Sequence, residues 1–260
     1  MARTRYRPKL RLTPQPAKRG TTTGNRDPQK KILIVTEDEK SAPYYLREIR
    51  DSFKLTATQV KVSGESGSDP MSVYKHGVKL YEASRKADDP FDALFFVFDR
   101  DTHSQYGEAL ATIDTYSKKR NAPKTVKAIT SLPCFEYWFL LHSPHHSRTN
   151  PHQASFHATS TKSVCDVAIS RLKRVDAATF GRYNKGTKGL TAKLGHTRRR
   201  QAQKDAEKVI QQHGGRKGAL RKVLCQHHPV DAIHTWSPHT LIHDLLQYMK
   251  RVQRRFRKQS

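Results

Sequence analysis

The chain has few of the residues and segments that mark secreted and membrane proteins. It contains only three cysteines in 260 residues, Cys134, Cys165 and Cys225. Their wide spacing, without a Cys-x-x-Cys pair, favours reduced thiols over disulfides or a zinc knuckle. No run approaches the roughly 18 apolar residues of a membrane-spanning helix. The basic start, MARTRYRPKLRL, continues into polar residues, so we expect no secretory signal and a cytoplasmic location.

Acidic residues are also scarce. The chain has 23 of them against 49 lysines and arginines, which gives a formal net charge of +26. Such an excess repels the chain from itself unless a polyanion is nearby, so nucleic acid is the expected partner and a membrane is not. Residues 1–29 combine basic residues with Pro, Thr and Gly and hold almost no acidic or large apolar residues. This composition predicts a disordered basic arm.

From residue 30 onward, short apolar runs alternate with helical patterns. Four runs are typical of strands: KILIVTE, ATQVKVSG, FDALFFVFDRD and KTVKAITS. Because parallel neighbours need crossover connections, the alternation predicts an α/β fold with a parallel four-stranded sheet flanked by helices, over residues 30–145. The remainder, residues 146–260, is predicted to be a basic helical region that completes the same domain. Its helices are predicted around residues 163–175, 201–213, 216–225 and 239–253.

Capping residues suggest where three helices of the first region begin. Ser41 is a candidate cap for the first helix, with Pro43 tolerated in its first turn. Ser68 or Asp69 is expected to cap the second helix. The apolar segment PCFEYWFLLH follows the fourth strand, and its helix is predicted to open at Pro133.

Acidic residues follow three of the apolar runs. Glu37 ends the first strand, Asp99 and Asp101 end the third, and Glu136 lies in the first turn of the helix after the fourth. The carboxyl ends of parallel strands meet at one edge of a sheet, and residues two apart in an extended chain share a face. These oxygen ligands suit Mg²⁺ or Mn²⁺. The pattern therefore predicts a metal site for phosphodiester chemistry, although such acids also often cap helices or face water.

Further residues near these acids are candidates for chemistry or binding. His103 follows Asp101 by two residues and could carry a proton or support a ligand, or simply lie in a loop. Lys40 could contact a phosphate at the entrance, or be solvated. Cys134 is expected in the core. The segment GRYNKGTKGL has three glycines but no Walker pattern, which argues against nucleotide hydrolysis.

Clusters of arginine in the second region extend the basic character of the chain. Their residue type and number favour contacts with a nucleic-acid backbone, with little base specificity and a steep dependence on salt. The alternative is a solvated basic face. The residues with this predicted role are Arg198, Arg199, Arg200, Arg254 and Arg255.

Three segments together, ILIVTEDEKSAPYY, FFVFDRDTH and SLPCFEYWFLLH, resemble the RloB-like family in their order and spacing. The later segment SPHTLIHDLL is similar to that family's ending, so the resemblance covers roughly residues 30–247. The family commonly has Glu-Gly-Glu-Lys-Thr-Glu after the first strand. Here that run begins at Glu37 and has Asp38 in place of glycine and Ala42 in place of the last glutamate.

The resemblance implies a fold and an activity. The family is considered similar to the Toprim fold of topoisomerases, primases and overcoming-lysogenization-defect nucleases, which bind Mg²⁺ through a glutamate after the first strand and an Asp-x-Asp pair after a later one. It thereby assigns metal ligation to Glu37, Asp99 and Asp101, with Glu136 as a further acid. The family occurs beside phage-defence genes, which implies a role in bacterial anti-phage defence and an ATPase partner encoded nearby.

The sequence thus leaves two hypotheses from different classes. The first is a Mg²⁺-dependent, Toprim-like nuclease that cleaves DNA or RNA, with Glu37, Asp99, Asp101, Glu136 and His103 in its active site. The second is a non-catalytic nucleic-acid-binding effector or adaptor of an ATPase-containing system. Metal-dependent cleavage distinguishes the two.

Overall fold

A computed structural model describes residues 30–67, 69–100, 103–144, 156, 158–159, 161–212 and 238–259. Several predictions fall outside these residues: the basic arm over residues 1–29, the role of Asp101, and the helix around 216–225.

The described residues form a mixed α/β fold around one five-stranded sheet. The strands are β1 (Ile32–Thr36), β2 (Val60–Ser63), β3 (Ala93–Asp99), β4 (Thr125–Leu132) and β5 (His239–Thr240). Their order is β2-β1-β3-β4-β5, with β1 to β4 parallel and β5 antiparallel to β4. The four predicted parallel strands are confirmed. The predicted number was wrong by one, because the two residues of β5 are too few to show an alternating pattern.

Helices lie on both faces of the sheet. Their bounds are α1 (Ser41–Ser52), α2 (Pro70–Lys86), α3 (Tyr106–Ser117), α4 (Glu136–Leu140), α5 (Val164–Val175), α6 (Ala177–Phe180), α7 (Leu190–Gln212) and α8 (Ile242–Gln259). Helix α7 is interrupted at Gly195, where φ is 64°. A positive φ suits glycine, which has no Cβ to clash.

Successive side chains of each strand point to opposite faces of the sheet, so the core has two layers. Leu33 and Val35 of β1 pack with α2 and α3 on one face, whereas Ile32 and Ile34 face a larger cluster that contains α1, α4 and the C-terminal helices. The strands are therefore apolar on both faces, as parallel strands covered by helices must be. The C-terminal helices belong to the same core as the sheet.

Two of the three predicted helix starts differ from the structure. Asp69 caps α2 as predicted, accepting a 2.9 Å hydrogen bond from the Ser72 amide. Ser41 is the first residue of α1 rather than its cap, because its hydroxyl is used elsewhere. Helix α4 begins at Glu136 and not at Pro133, with Phe135 as the residue before its first turn.

None of the helices in the described part of the chain combines the length and the apolar character that crossing a membrane requires.

Close packing at Gly77 leads to a prediction that runs against helix propensity. Gly77 lies inside α2 and is buried; a Cβ there would lie 2.5 Å from the buried ring of Phe96 and 3.2 Å from Val35. Alanine normally stabilises a helix interior by about 1 kcal/mol relative to glycine. Overpacking a core costs about 1–3 kcal/mol, so we expect Gly77→Ala to lower the free energy of unfolding by up to about 2 kcal/mol in urea denaturation.

Gly107→Ala is the matched control for this substitution. Gly107 lies in the first turn of α3, and a Cβ there would meet nothing within 4 Å. Gly107→Ala should therefore cause no steric clash, and only the higher helix propensity of alanine should affect stability. The free energy of unfolding should stay constant or rise by up to about 1 kcal/mol. Equal effects of the two substitutions would show that Phe96 does not restrict position 77.

Candidate functional site

The candidate site lies where the strand order reverses. Strand β1 is followed in sequence by β2 on one side, and β3 lies on its other side. In open α/β sheets such a switch point leaves a crevice beyond the carboxyl ends of the strands, which is the usual place for ligands. Glu37 directly follows β1, and Asp99 is the last residue of β3. Both acids predicted from the strand ends therefore lie at this crevice.

Hydrogen bonds hold Glu37 in one orientation. Its Oε2 accepts from the Asp99 amide at 3.0 Å, and its Oε1 lies 2.8 Å from His103 Nε2. Its own amide donates to the Val97 carbonyl at 3.0 Å. The side chain of Glu37 is 15% exposed. The structure thus brings together Glu37, Asp99 and His103, three of the residues that the sequence suggested.

Glu136 lies at the start of α4 and is only 1% exposed. Its Oε1 accepts hydrogen bonds from Ser41 Oγ at 3.0 Å and from the Tyr183 hydroxyl at 2.9 Å. Its Oε2 accepts from Cys165 Sγ at 3.4 Å. A buried carboxylate needs such partners to offset its lost hydration. None of these three partners was predicted, because they come from distant parts of the chain.

Asp38 supports the start of α1. Its carboxylate accepts from the Ala42 amide at 3.2 Å, which satisfies one of the amides left without a partner at a helix N-terminus. This contact takes over the capping role that the sequence suggested for Ser41.

The crowding of carboxylates changes their acidity. Burial raises the pKa of Asp99 well above its ordinary value, and the charges of Glu136 and Glu37 raise it further. Burial also raises the pKa of Glu37, against the opposing effects of the Asp99 amide and His103. Burial and the charge of Glu136 raise the pKa of Asp38. The four acids therefore lie close enough to repel one another, which favours a cation among them.

Lys185 is a site residue that sequence reasoning missed. It lies in the loop between α6 and α7, within the GRYNKGTKGL segment. Burial alone would lower the pKa of Lys185, but the charges of Glu136 and Asp99 raise it overall. The same loop places the Tyr183 hydroxyl on Glu136. An open pocket of about 460 Å³ is lined by Glu37, Asp38, Glu39, Lys40, Gly67 and Lys185.

A second group of possible metal ligands lies beside this pocket. Cys134, Glu136 and Cys165 each offer an atom, and the three atoms all lie within 4.8 Å of one another. All three residues are buried, so the prediction of Cys134 as a core residue is confirmed. Burial raises the pKa of the Cys134 thiol well above its usual range. Glu136 thus belongs both to the set of acids predicted from the sequence and to this sulfur-containing group.

The arginines predicted to bind nucleic acid differ in their surroundings. Arg198 donates to Thr179 Oγ1 at 2.9 Å and pairs with Asp176, so it joins α7 to the α5–α6 segment. The guanidinium of Arg199 lies 5.7 Å from the centre of the Phe53 ring. The remaining side chains with this predicted role are exposed: Lys40, Arg200, Arg254 and Arg255.

The raised pKa values predict how stability depends on pH. A carboxyl group whose pKa is higher in the folded chain binds more protons when folded. Its contribution to stability is full below its unfolded pKa, 3.8 for aspartate, and is lost as pH rises through the raised value. In EDTA, we therefore expect the wild type to lose stability relative to Asp99→Asn as pH rises from about 4, measured by urea denaturation.

Asp51→Asn on the exposed end of α1 serves as the control for that series. Asp51→Asn removes one carboxylate from an exposed side chain, so it shows the effect of losing a negative charge outside the pocket. If the difference between the wild type and Asp99→Asn stayed constant from pH 4 to 8, the raised pKa of Asp99 would be refuted.

Comparison with known proteins gives one assignment. Searches among curated proteins and among solved structures give no match. Residues 32–249 match the family described as RloB-like protein. This range contains the whole sheet, Glu37, Asp99 and Glu136, and the loop that carries Lys185. The chain therefore belongs to the RloB-like family.

Proposed function

We propose that this protein is a Mg²⁺- or Mn²⁺-dependent nuclease that hydrolyses phosphodiester bonds of DNA or RNA in bacterial anti-phage defence. The observation that carries the proposal is the convergence of Glu37, Asp99 and Glu136 beyond the carboxyl ends of β1, β3 and β4. A Toprim-like arrangement of the acids, with Asp101 as a further ligand, is part of the proposal. The defence role rests on the family resemblance.

The donor set fits a hard divalent cation. Glu37 and Asp99 offer only oxygen atoms, and their charges and that of Glu136 repel one another. Mg²⁺ is typically held by one or two carboxylates, waters and substrate phosphate. Such a cation supplies a more acidic water and stabilises charge on the phosphate oxygens. Glu37 and Asp99 would hold it at the crevice.

Two basic side chains complete the proposed chemistry. His103 Nε2 lies 2.8 Å from Glu37 Oε1, so it orients that carboxylate, and the other ring nitrogen would accept a proton from an attacking water. Lys185 lines the pocket beside Glu37. Its ammonium group would bind a phosphate oxygen of the substrate, whose negative charge the surrounding acids would otherwise repel.

The basic surface supplies affinity for the nucleic-acid backbone. With a net charge of +26, binding should weaken steeply as salt rises and show little base specificity. Arg254 and Arg255 on α8, together with Arg200 on α7, are exposed and available for such contacts. Arg198 and Arg199 also make contacts within the protein, which limits their freedom to reach a phosphate.

Lys185→Ala is expected to reduce cleavage about 10- to 150-fold, the equivalent of losing one hydrogen bond to a charged group. The measurement is the rate of cleavage of labelled nucleic acid at saturating Mg²⁺. Lys188→Ala is the control, because Lys188 lies in the same loop but its ammonium group is 4.7 Å from the Tyr44 ring. Equal rates for the two variants would remove Lys185 from substrate binding.

A second candidate function is a non-catalytic nucleic-acid-binding adaptor of an operon-encoded ATPase. One observation favours it: both carboxylate oxygens of Glu37 and of Glu136 already accept hydrogen bonds within the protein. Acids satisfied in this way can be structural. In the nuclease, by contrast, His103 would have to share Glu37 with the cation.

The two functions are separated by one experiment. Purified protein is incubated with labelled DNA and RNA in Mg²⁺, in Mn²⁺ or in EDTA, with and without the neighbouring ATPase. The nuclease hypothesis expects cleavage in either metal and none in EDTA. Binding without cleavage under every condition would refute the nuclease and favour the adaptor.

A further inference from the structure

Two cysteines and one glutamate from separate elements meet in the core beside the acidic pocket. Cys134 lies between β4 and α4, Glu136 is the first residue of α4, and Cys165 is in the first turn of α5. Their ligand atoms all lie within 4.8 Å of one another, and all three residues are buried. Cys165 is 29 residues from Glu136 in sequence. The fold, and not local sequence, thus assembles the group.

The spacing of the group suits a tetrahedral ion. Zinc lies about 2.3 Å from a thiolate sulfur and about 2.0–2.2 Å from a carboxylate oxygen. Tetrahedral angles then place the sulfur and the oxygen about 3.5 Å apart. The observed distance from Cys165 Sγ to Glu136 Oε2 is 3.4 Å. Cys165 and Glu136 therefore need little movement to share an ion, and the ligand atom of Cys134 lies within 4.8 Å of both of theirs.

The remaining contacts of Glu136 orient it towards the thiols. Ser41 Oγ and the Tyr183 hydroxyl both donate to Oε1, at 3.0 and 2.9 Å. Oε2, the other oxygen, faces Cys165. Hydrogen bonds to the free atom of a ligand are the usual means by which proteins fix a metal-binding side chain. The group therefore has the support that a metal site requires.

We propose that Cys134, Glu136 and Cys165 form a site for a thiophilic divalent cation, of which Zn²⁺ is the example. Two sulfurs and one carboxylate match zinc, whereas Mg²⁺ prefers oxygen ligands alone. Three protein ligands leave a fourth position for water or another donor. The site shares Glu136 with the proposed nuclease centre but does not depend on catalysis.

The position of the site indicates its consequence for the fold. The ion would join the turn between β4 and α4 to helix α5, where Cys165 is 29 residues from Glu136 in sequence. Lys185 lies close enough to interact electrostatically with Glu136 and both thiols, so its positive charge offsets part of the negative charge of two thiolates and a carboxylate. Metal binding should accordingly stabilise the folded protein.

The test is titration of the full, reduced and chelator-treated chain with Co²⁺. We expect one equivalent to produce thiolate-to-cobalt absorption in the near ultraviolet and the visible bands of a tetrahedral ion. Zn²⁺ should displace both. Cys165→Ser should weaken Co²⁺ binding roughly 100-fold or more, because loss of a supporting residue alone costs 10–100-fold. Circular dichroism without metal checks that this variant is folded.

Cys225→Ser is the matched control, since it also removes one of the three cysteines. It should keep the thiolate absorption in full, which assigns that absorption to Cys134 and Cys165 even if Cys165→Ser does not fold. Absence of the thiolate band in the wild type, or its loss in Cys225→Ser, would overturn the proposal. Cleavage in Mg²⁺ is measured in a separate assay. The failure of one proposal therefore does not prevent the test of the other.

Discussion

Asp99→Asn is expected to reduce Mg²⁺-dependent cleavage by about 100-fold or more while leaving nucleic-acid binding unchanged. The loss of a residue that only supports a metal ligand already costs about 10–100-fold, and Asp99 is proposed as a ligand itself. Asparagine is nearly the same size, so the packing at the end of β3 should survive. The measurements are initial cleavage rates and the dissociation constant at fixed salt.

The control for this prediction lies at the other end of the same strand. Asp92 precedes β3, and its carboxylate accepts a 2.9 Å hydrogen bond from the Lys31 amide. Asp92→Asn removes one negative charge from the opposite edge of the sheet and should cleave at the wild-type rate. Full activity in Asp99→Asn would remove this carboxylate from the chemistry. Weakened binding in that variant would mean that Asp99 acts on affinity and not on the reaction.

The parts of the site that the sequence predicted share a physical cause. Glu37 and Asp99 follow apolar runs, and the ends of parallel strands must meet at one edge of the sheet. Their proximity therefore follows from strand order alone, and the 3.0 Å contact between Glu37 Oε2 and the Asp99 amide agrees with it. His103, four residues beyond Asp99 in sequence, lies 2.8 Å from Glu37 Oε1.

The parts that the sequence did not predict depend on contacts between distant segments. Lys185 and Tyr183 reach the acids from a loop after α6, a segment with no motif that indicates the site. Cys165 is a single cysteine in an ordinary amphipathic helix, and its proximity to Cys134 follows only from packing. No strand pattern or spacing carries this information.

The largest stability loss is expected at the aromatic anchor of α4. Trp138 is fully buried, with its ring centre 6.4 Å from Tyr45 and 4.7 Å from His142. Removing a buried tryptophan side chain costs about 3–5 kcal/mol through lost burial and the cavity left behind. Trp138→Ala should therefore lower the free energy of unfolding by about that amount, measured by urea denaturation followed by circular dichroism.

The same substitution tests how Glu136 is held in place. Helix α4 has only five residues, too few to be stable without packing, so the burial of Trp138 anchors the backbone that carries Glu136. Trp138→Phe keeps part of the apolar surface and should lose less stability, and it should retain more cleavage activity than Trp138→Ala under conditions where both are folded. If Trp138→Ala unfolded at the wild-type urea concentration, α4 would have to be anchored by its other aromatic residues, Tyr137 and Phe139.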